Sequence, residues 1–416
     1  MVVMADITRR CRVRGVARKD KSVVMKGGWQ TKTLGEVAEV IAGQSPEGPF
    51  YNNSGVGLPF YQGKKEFGEK FIGPPTTWSS QITKVALEGD VLMSVRAPVG
   101  PVNFATQQSC IGRGLAAIRS GKDLDRSYLF YFLLSKQEEI CVAEGAVFAS
   151  IKKDDIQSIK IELPPIPEQR KIAAILSTWD KALEKLDALI AAKEHRRKAL
   201  MQQLLTGQKR VKGFIDKWRT PELGSVVKPI SRPVPKPDEP FLAAGIRSHG
   251  KGVFLKQGFN PSEIALDELF QLRTDDLVVN ITFAWEGALA IVPPEANGAL
   301  VSHRFPAFLC EEGKAALGFI RHLIRTKHFV FLCGLSSPGG AGRNRVLSKT
   351  SFLKIAVRMP SFPEQTAIAN ILDTCDEELR IIRGQRAAVD RQKRGLMQRL
   401  LTGRVRVRPE KESRLA

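Results

Sequence analysis

Cysteine and histidine are scarce in this chain, and neither clusters. The six cysteines (Cys11, Cys110, Cys141, Cys310, Cys333 and Cys375) include no CxxC pair, and the five histidines are dispersed. That pattern excludes a disulfide framework and a zinc-ligand motif, and reads as small buried residues of a reducing cytosol. Long apolar runs are missing as well. Nothing approaches the ~18–20 consecutive apolar residues of a membrane span, and the basic N-terminal stretch lacks the apolar core of a secretory signal. A cytoplasmic chain with no membrane attachment is expected. Catalytic signatures are absent in the same way. "GLSSPGGAGRNR" (Gly334–Arg345) has neither the lysine nor the following helix of a phosphate loop. "VPPE" and "LPPI" lack the Asn or Asp with which amino-methyltransferases hold an exocyclic amine. Pro237-Asp238 and Glu312-Gly313-Lys314 are too far apart for a metal-nuclease motif, and His322 and His328, six apart, do not share a helix face.

Acidic residues are the other deficit. Sixty-four Lys+Arg stand against 43 Asp+Glu, a net charge of +21. A folded chain with that imbalance favours a polyanionic partner, most often nucleic acid. With 416 residues and 43% apolar content there is room for two or three domains, each with a core.

What is present is a repeat. Sliding the chain against itself by 196 residues aligns Leu163–Val211 with Met359–Val407 without a gap, 22 of 49 positions being identical. Apolar residues recur at steps of four and three: Ile172, Leu176, Trp179, Leu183, Leu186 and Ile190, resuming at Leu200 and Leu204. In the second copy they are Ile368, Leu372, Cys375, Leu379 and Ile382, then Val389, Leu396 and Leu400. This is a heptad seam, which predicts two long helices packed along their length on a partner helix. Pro167 and Pro363 suit a first helical turn, Glu168 and Glu364 face the positive end of the dipole, and Gly207 and Gly403 suit the stop. Each helix is then about 60 Å long. Lys193 and Arg197, and Arg386 and Lys393, interrupt the seam, where charges fix register or snorkel.

A fainter repeat opens and closes the segments before each helix. "WQTKTLGEV" from Trp29 answers "WRTPELGSV" from Trp218, and Ile156, Ile159 and Ile161 answer Phe352, Ile355 and Val357. The middles diverge and carry β-type runs, "DVLMSVRAPVG" and "DLVVNITFAWEGALAIV", between Gly and Pro turns. Such a duplication closes with pseudo-two-fold symmetry. It predicts antiparallel helices holding two basic domains apart, a caliper suited to two separated half-sites on DNA.

This layout, with "LPPIPEQ" and "LLTG" bounding the helices, resembles the specificity subunit of type I restriction-modification systems over Gly27 to Val407. The resemblance implies an α+β chain of two pseudo-symmetric α/β target-recognition domains separated by two long helices that form an antiparallel coiled coil. Its parts would be target-recognition domain one at 25–166, helix one at 167–207, domain two at 208–362, helix two at 363–403 and a basic tail at 404–416. Each domain would read one half of a bipartite site on double-stranded DNA. The helices would set the spacing and dock two methylation subunits, with restriction subunits joining the full complex. The chain itself would be non-catalytic and bind no cofactor; S-adenosylmethionine, ATP and Mg2+ would belong to its partners. Residues 1–24 depart from the pattern. They hold seven basic residues and no apolar periodicity, and are expected either to be a mobile basic tail or to precede a true start at Met25.

"SVRAPVG", "CIGRG" and "GIRSHGKGVF" look like stretches of such recognition domains. The DNA-contact candidates are arginines and lysines in glycine-rich loops, where a guanidinium can bridge guanine O6 and N7 and an ammonium can hold phosphate. Domain one offers Lys64, Lys65, Arg96 and Arg113. Domain two offers Arg247, His249, Lys251, Arg304 (beside His303), Arg343 and Arg345. Two other classes stay open at this point: a self-contained site-specific nuclease or methyltransferase, and a coiled-coil scaffold for which the charge would be surplus.

Overall fold

The computed structural model describes residues 28–142, 150–339 and 345–408. The basic stretch 1–24 lies outside these, as do Arg343 and residues 409–416. The chain forms two compact units, residues 1–184 with 387–416, and residues 185–386. Its helices are α1 (Leu34–Val37), α2 (Arg126–Val142), α3 (Lys153–Ser158), α4 (Ile166–Leu205), α5 (Leu317–Leu323), α6 (Lys327–Leu335), α7 (Lys349–Leu353) and α8 (Phe362–Leu401). The boundary between units falls inside both α4 and α8.

In unit one an antiparallel sheet runs Ala38–Ala42, Leu115–Ser120, Val91–Ser94, Val102–Phe104. Ala117 stands opposite both Ile41 and Leu92. The middle strands are covered on both faces, Val91, Leu92 and Met93 being fully buried. That is why their sequence reads as a continuous apolar run. Helix α2 lays Tyr128, Leu129, Phe130 and Tyr131 into this core, with the Phe130 ring stacked 4.6 Å from Phe104. A five-stranded sheet of short strands adjoins it, from Tyr51–Asn52 through Trp78–Ser79, Leu58–Tyr61 and Ser109–Ile111 to Val85–Ala86.

Unit two repeats the four-stranded sheet with the order Val227–Ile230, Ala307–Cys310, Leu277–Val279, Leu289–Ile291. A buried acid immediately precedes the third strand in both units. Asp90 accepts two bonds from Arg119, and Asp276 accepts two from Arg232. The second sheet of unit two has five strands and ends in the hairpin Phe241–Ile246 and Val253–Phe259.

The faint repeat proves to be spatial. In unit one Gln30–Thr33 pairs with Lys160–Leu163, and the Leu34 amide donates to the Ile159 carbonyl at 2.9 Å. In unit two Arg219 and Glu222 bridge to Met359 and Ala356, and Leu223 donates to Ile355 at 2.9 Å. The glycine after each leucine lies against a neighbouring turn. A Cβ on Gly35 would stand 3.1 Å from the Gln157 Cβ, and one on Gly224 would stand 3.2 Å from that of Leu353.

Each unit contains the start of one long helix and the end of the other. In unit one Ile172, Ala173 and Leu176 of α4 share the core with Met397, Leu400 and Leu401 of α8. In unit two Leu204 and Leu205 of α4 share it with Ile368, Ala369 and Leu372 of α8. The two helices therefore run antiparallel where they pair. Every seam position expected from the sequence is buried or half-buried. Gly207 and Gly403 hold left-handed φ values of +73° and +68° just past the helix ends. The four charges interrupting the seam all meet acids across it. Lys393 pairs with Asp180 in unit one; Arg386 with Asp187, Lys193 with Glu378 and Arg197 with Asp376 do so in unit two.

The doubled Pro-Glu-Gln has a physical reason beyond the helix dipole. Glu168 is buried and accepts from Arg406 Nε and Nη2, both at 2.8 Å, from Trp29 Nε1 at 3.1 Å and from the Val407 amide at 3.2 Å. Glu364 accepts in the same way from Arg210 at 2.7 and 2.6 Å and from Trp218 Nε1 at 3.3 Å. Gln169 and Gln365 donate to Pro164 and Pro360 carbonyls and accept from the amides of Asp125 and Ala316. The motif thus ties the opening Trp, the start of one helix and the "RV" that follows the other into one buried knot per unit.

Candidate nucleic-acid interface

In unit one the candidate cations sit on loops that the two sheets bring together. Arg96 follows the strand Val91–Ser94, and its neighbour Val95 donates to the Gly114 carbonyl at 3.0 Å. Arg113 forms the tip of the Gly112–Gly114 turn and donates its amide to Ser45 Oγ at 3.3 Å. That turn is bonded in turn to the Tyr61 and Gln62 carbonyls, just before Lys64 and Lys65 on a one-turn 3-10 helix. All four side chains are exposed, and none forms an ion pair among the described residues. Other cations nearby are committed to structure: Arg119 to Asp90, and Lys70 to Asp180. The glycines serve close packing. A Cβ on Gly112 would lie 2.5 Å from Gln62 Oε1, and one on Gly114 2.5 Å from the Gln62 carbonyl. They let the loops pack on one another, leaving the arginine between them as the projecting group.

Unit two converges in a comparable way. His249 and Gly250 donate their amides to the Glu286 and Gly287 carbonyls at 2.8 and 3.0 Å, Ile281 donates to Arg304 at 3.0 Å, and Leu347 donates to Ile281 at 2.9 Å. Those bonds gather the loops bearing Arg247, His249, Lys251, Arg304 and Arg345, all exposed. His249 (φ +62°), Gly250 (φ +66°) and Gly252 (φ +80°) make a left-handed turn there, a conformation in which histidine is enriched among residues with a Cβ. Arg247 lies 5.3 Å over the Phe254 ring and Arg345 5.8 Å over Trp285, so both guanidiniums are within cation–π reach of aromatic faces.

Sequence reasoning missed Phe254, Trp285 and Glu286 in this cluster. It took "DLVVNITFAWEGALAIV" as β-type, whereas the strands are only Leu277–Val279 and Leu289–Ile291, with a 3-10 turn Ala284–Glu286 between them. The signal lay in Asn280, whose Oδ1 accepts from the Thr282 amide at 3.1 Å, and in Gly287 at φ +78°. Away from these loops, His322 is buried, with Nε2 2.7 Å from Asp373 Oδ1; burial pushes its pKa below the ordinary histidine value despite that carboxylate. Cys333 is buried, which pushes its thiol up to about 12. Among the described residues no three His, Cys, Asp or Glu side chains are grouped to hold a metal ion, and no helix is long and apolar enough to cross a membrane.

Residues 26–193 match the family model of the type I restriction modification DNA specificity domain. The chain is 43% identical over 188 residues to a Methanocaldococcus jannaschii protein named as the specificity subunit of the type I restriction enzyme MjaX, covering 44% of each. It thus spans less than half the length of that relative. It is 26% identical over 317 residues to the MjaVIII specificity subunit of the same organism, covering 70% of this chain and 72% of that one. Among solved structures it resembles the S subunit of a type I restriction-modification system from M. genitalium. The TM-score is 0.55 at 17% identity, over 90% of this chain and 96% of the other, a likeness of fold. Over residues 26–193 the chain is thus similar to the type I restriction modification DNA specificity domain, and its relatives are named as specificity subunits of type I restriction enzymes.

Proposed function

We propose that this chain is the non-catalytic, sequence-reading subunit of a type I restriction-modification complex, and that each unit reads one half of a bipartite site on double-stranded DNA. The observation that carries the reading is the convergence, in each unit, of loops whose exposed arginines and lysines form no ion pair among the described residues. A polyanion is the natural complement of such a cluster. Each bound cation displaces condensed counterions from DNA, and a projecting guanidinium can reach paired acceptors on guanine. The knot around each Pro-Glu-Gln and the seam of α4 and α8 supply rigid supports for the loops, as precise recognition requires. In this reading the helices set the spacing of the half-sites and dock two methylation subunits. Restriction subunits complete the complex, and S-adenosylmethionine, ATP and Mg2+ are bound by those partners.

The test is a salt titration of binding to duplex DNA, with Arg113→Ala in unit one and Arg345→Ala in unit two. The logarithm of affinity should fall steeply and linearly with the logarithm of salt. A variant that removes a phosphate contact should lower the slope by ~1, and one that removes a base contact should relax a single position of its own half-site. Binding that ignores salt, or both variants indistinguishable from wild type in slope and sequence choice, would overturn the proposal.

A further inference from the structure

We infer that Glu286 reads an exocyclic amino group, on cytosine or adenine, in the half-site taken by unit two. The inference rests on the DNA-reading function proposed above and deepens it. A cavity of about 460 Å3 opens in unit two, lined by Ser248, Phe254, Asn280, Phe283, Glu286 and Phe305 among others. Three phenylalanines and a single carboxylate make it unlike the basic surface around it. Ser248 Oγ donates to Glu286 Oε2 at 2.8 Å, which orients the carboxylate and leaves Oε1 to accept.

The backbone is held as firmly. The Glu286 carbonyl accepts from His249, and a Cβ on the following Gly287 would stand 3.0 Å from Val330 of α6. The cations flanking it are spoken for by aromatic rings: Arg247 lies over Phe254, and Arg345 over Trp285, the residue before Glu286. Neither arginine lies within ion-pair distance of Glu286.

A carboxylate with no ion-pair partner among the described residues, on a face built for phosphates, weakens DNA binding unless it meets a donor. On the major-groove edges of base pairs the only donors are the cytosine N4 and adenine N6 amino groups. Guanine O6 or thymine O4 would set a lone pair against the carboxylate. With DNA seated against the phenylalanine walls, little water would remain to relieve that contact, so the site would discriminate by repulsion as well as by attraction.

The experiment is selection by the full chain from duplexes randomised across both half-sites, comparing wild type with Glu286→Gln and Glu286→Ala. Wild type should enrich cytosine or adenine at one position of the unit-two half. The amide of Glu286→Gln can donate as well as accept, so guanine or thymine should enter there and the preference should drop by about tenfold. Glu286→Ala should relax the same position alone, with the unit-one half unchanged as the internal control of folding. If Glu286→Gln keeps the wild-type preference at every position, or weakens all positions equally, Glu286 is not the reader. A wild-type chain that selects only the unit-one half would overturn both the inference and the reading beneath it.

Discussion

Replacing Glu168 by alanine should loosen unit one and leave unit two intact. The carboxylate is 4% exposed and accepts four hydrogen bonds from three residues. Its loss strands the indole N–H of Trp29, a residue itself buried, which costs about 1–3 kcal/mol. Arg406 is more than one-third exposed and can turn to water, so its lost pairing adds only about 1 kcal/mol. The expected total is about 2–4 kcal/mol. A two-unit chain has no single melting temperature to carry that number. The measurement is therefore amide hydrogen exchange in Gln30–Thr33, the strand beside Trp29 that pairs with Lys160–Leu163. Exchange there through local opening should accelerate by roughly 30- to 900-fold. The acid limb gives a second readout. Burial opposes ionisation of Glu168, but bonds from Arg406, Trp29 and the Val407 amide together hold its pKa below 4.5. A depressed carboxyl contributes stability that is complete above its unfolded value and lost as pH falls through its folded value. Glu168→Gln should therefore flatten the loss of unit-one protection below about pH 4.5. Equal acceleration in both units, or less than a threefold change in Gln30–Thr33, would refute the reasoning.

Leu183→Arg places an unpaired charge at a buried seam position of α4 and should destabilise by about 3–5 kcal/mol, read as lost exchange protection in both paired helix segments of unit one. Gly224→Ala should cost about 1–3 kcal/mol in unit two, because its Cβ would press on Leu353 in α7; unchanged protection in Val227–Ile230 would show that the turn yields freely.

The helices were legible because a heptad is a local pattern written twice, and each copy checks the other. The "LG" and Ile positions were also legible, but only as a correspondence. That Gln30–Thr33 and Lys160–Leu163 would lie side by side is a contact over more than a hundred residues, which no local signal encodes. The Pro-Glu-Gln motif shows the same limit more sharply. Position relative to the helix start explains a glutamate there through the dipole. Its larger role depends on Trp29 and Arg406, which the sequence places far away on either side. In the candidate interface, the exposed arginines between glycines were named from composition. Trp285 and Glu286 were not, because an apolar stretch with a carboxylate inside it reads as a strand, and Phe254 was not because it lies on a strand beyond the glycine loop. Only the folded loops reveal that the interruption is the rim of a cavity.

The charges within the seam answer a different need from the apolar residues around them. Part-buried ion pairs add little net stability, since desolvation offsets most of their attraction. Leaving one partner unpaired is costly, and that asymmetry is informative. Along α4 the cation–acid pairs run Asp180, Asp187, Lys193, Arg197, while their partners on α8 run Lys393, Arg386, Glu378, Asp376. The order descends as the other ascends, and the sign of the α4 member changes from acid to base along the way. A slip by one heptad would leave some charges against apolar side chains and bring others beside their own sign. Leucine seams alone tolerate such slips, because one apolar layer resembles the next. The pairs thus contribute register more than strength. Under the function proposed above, register is the quantity that the helices would have to hold fixed.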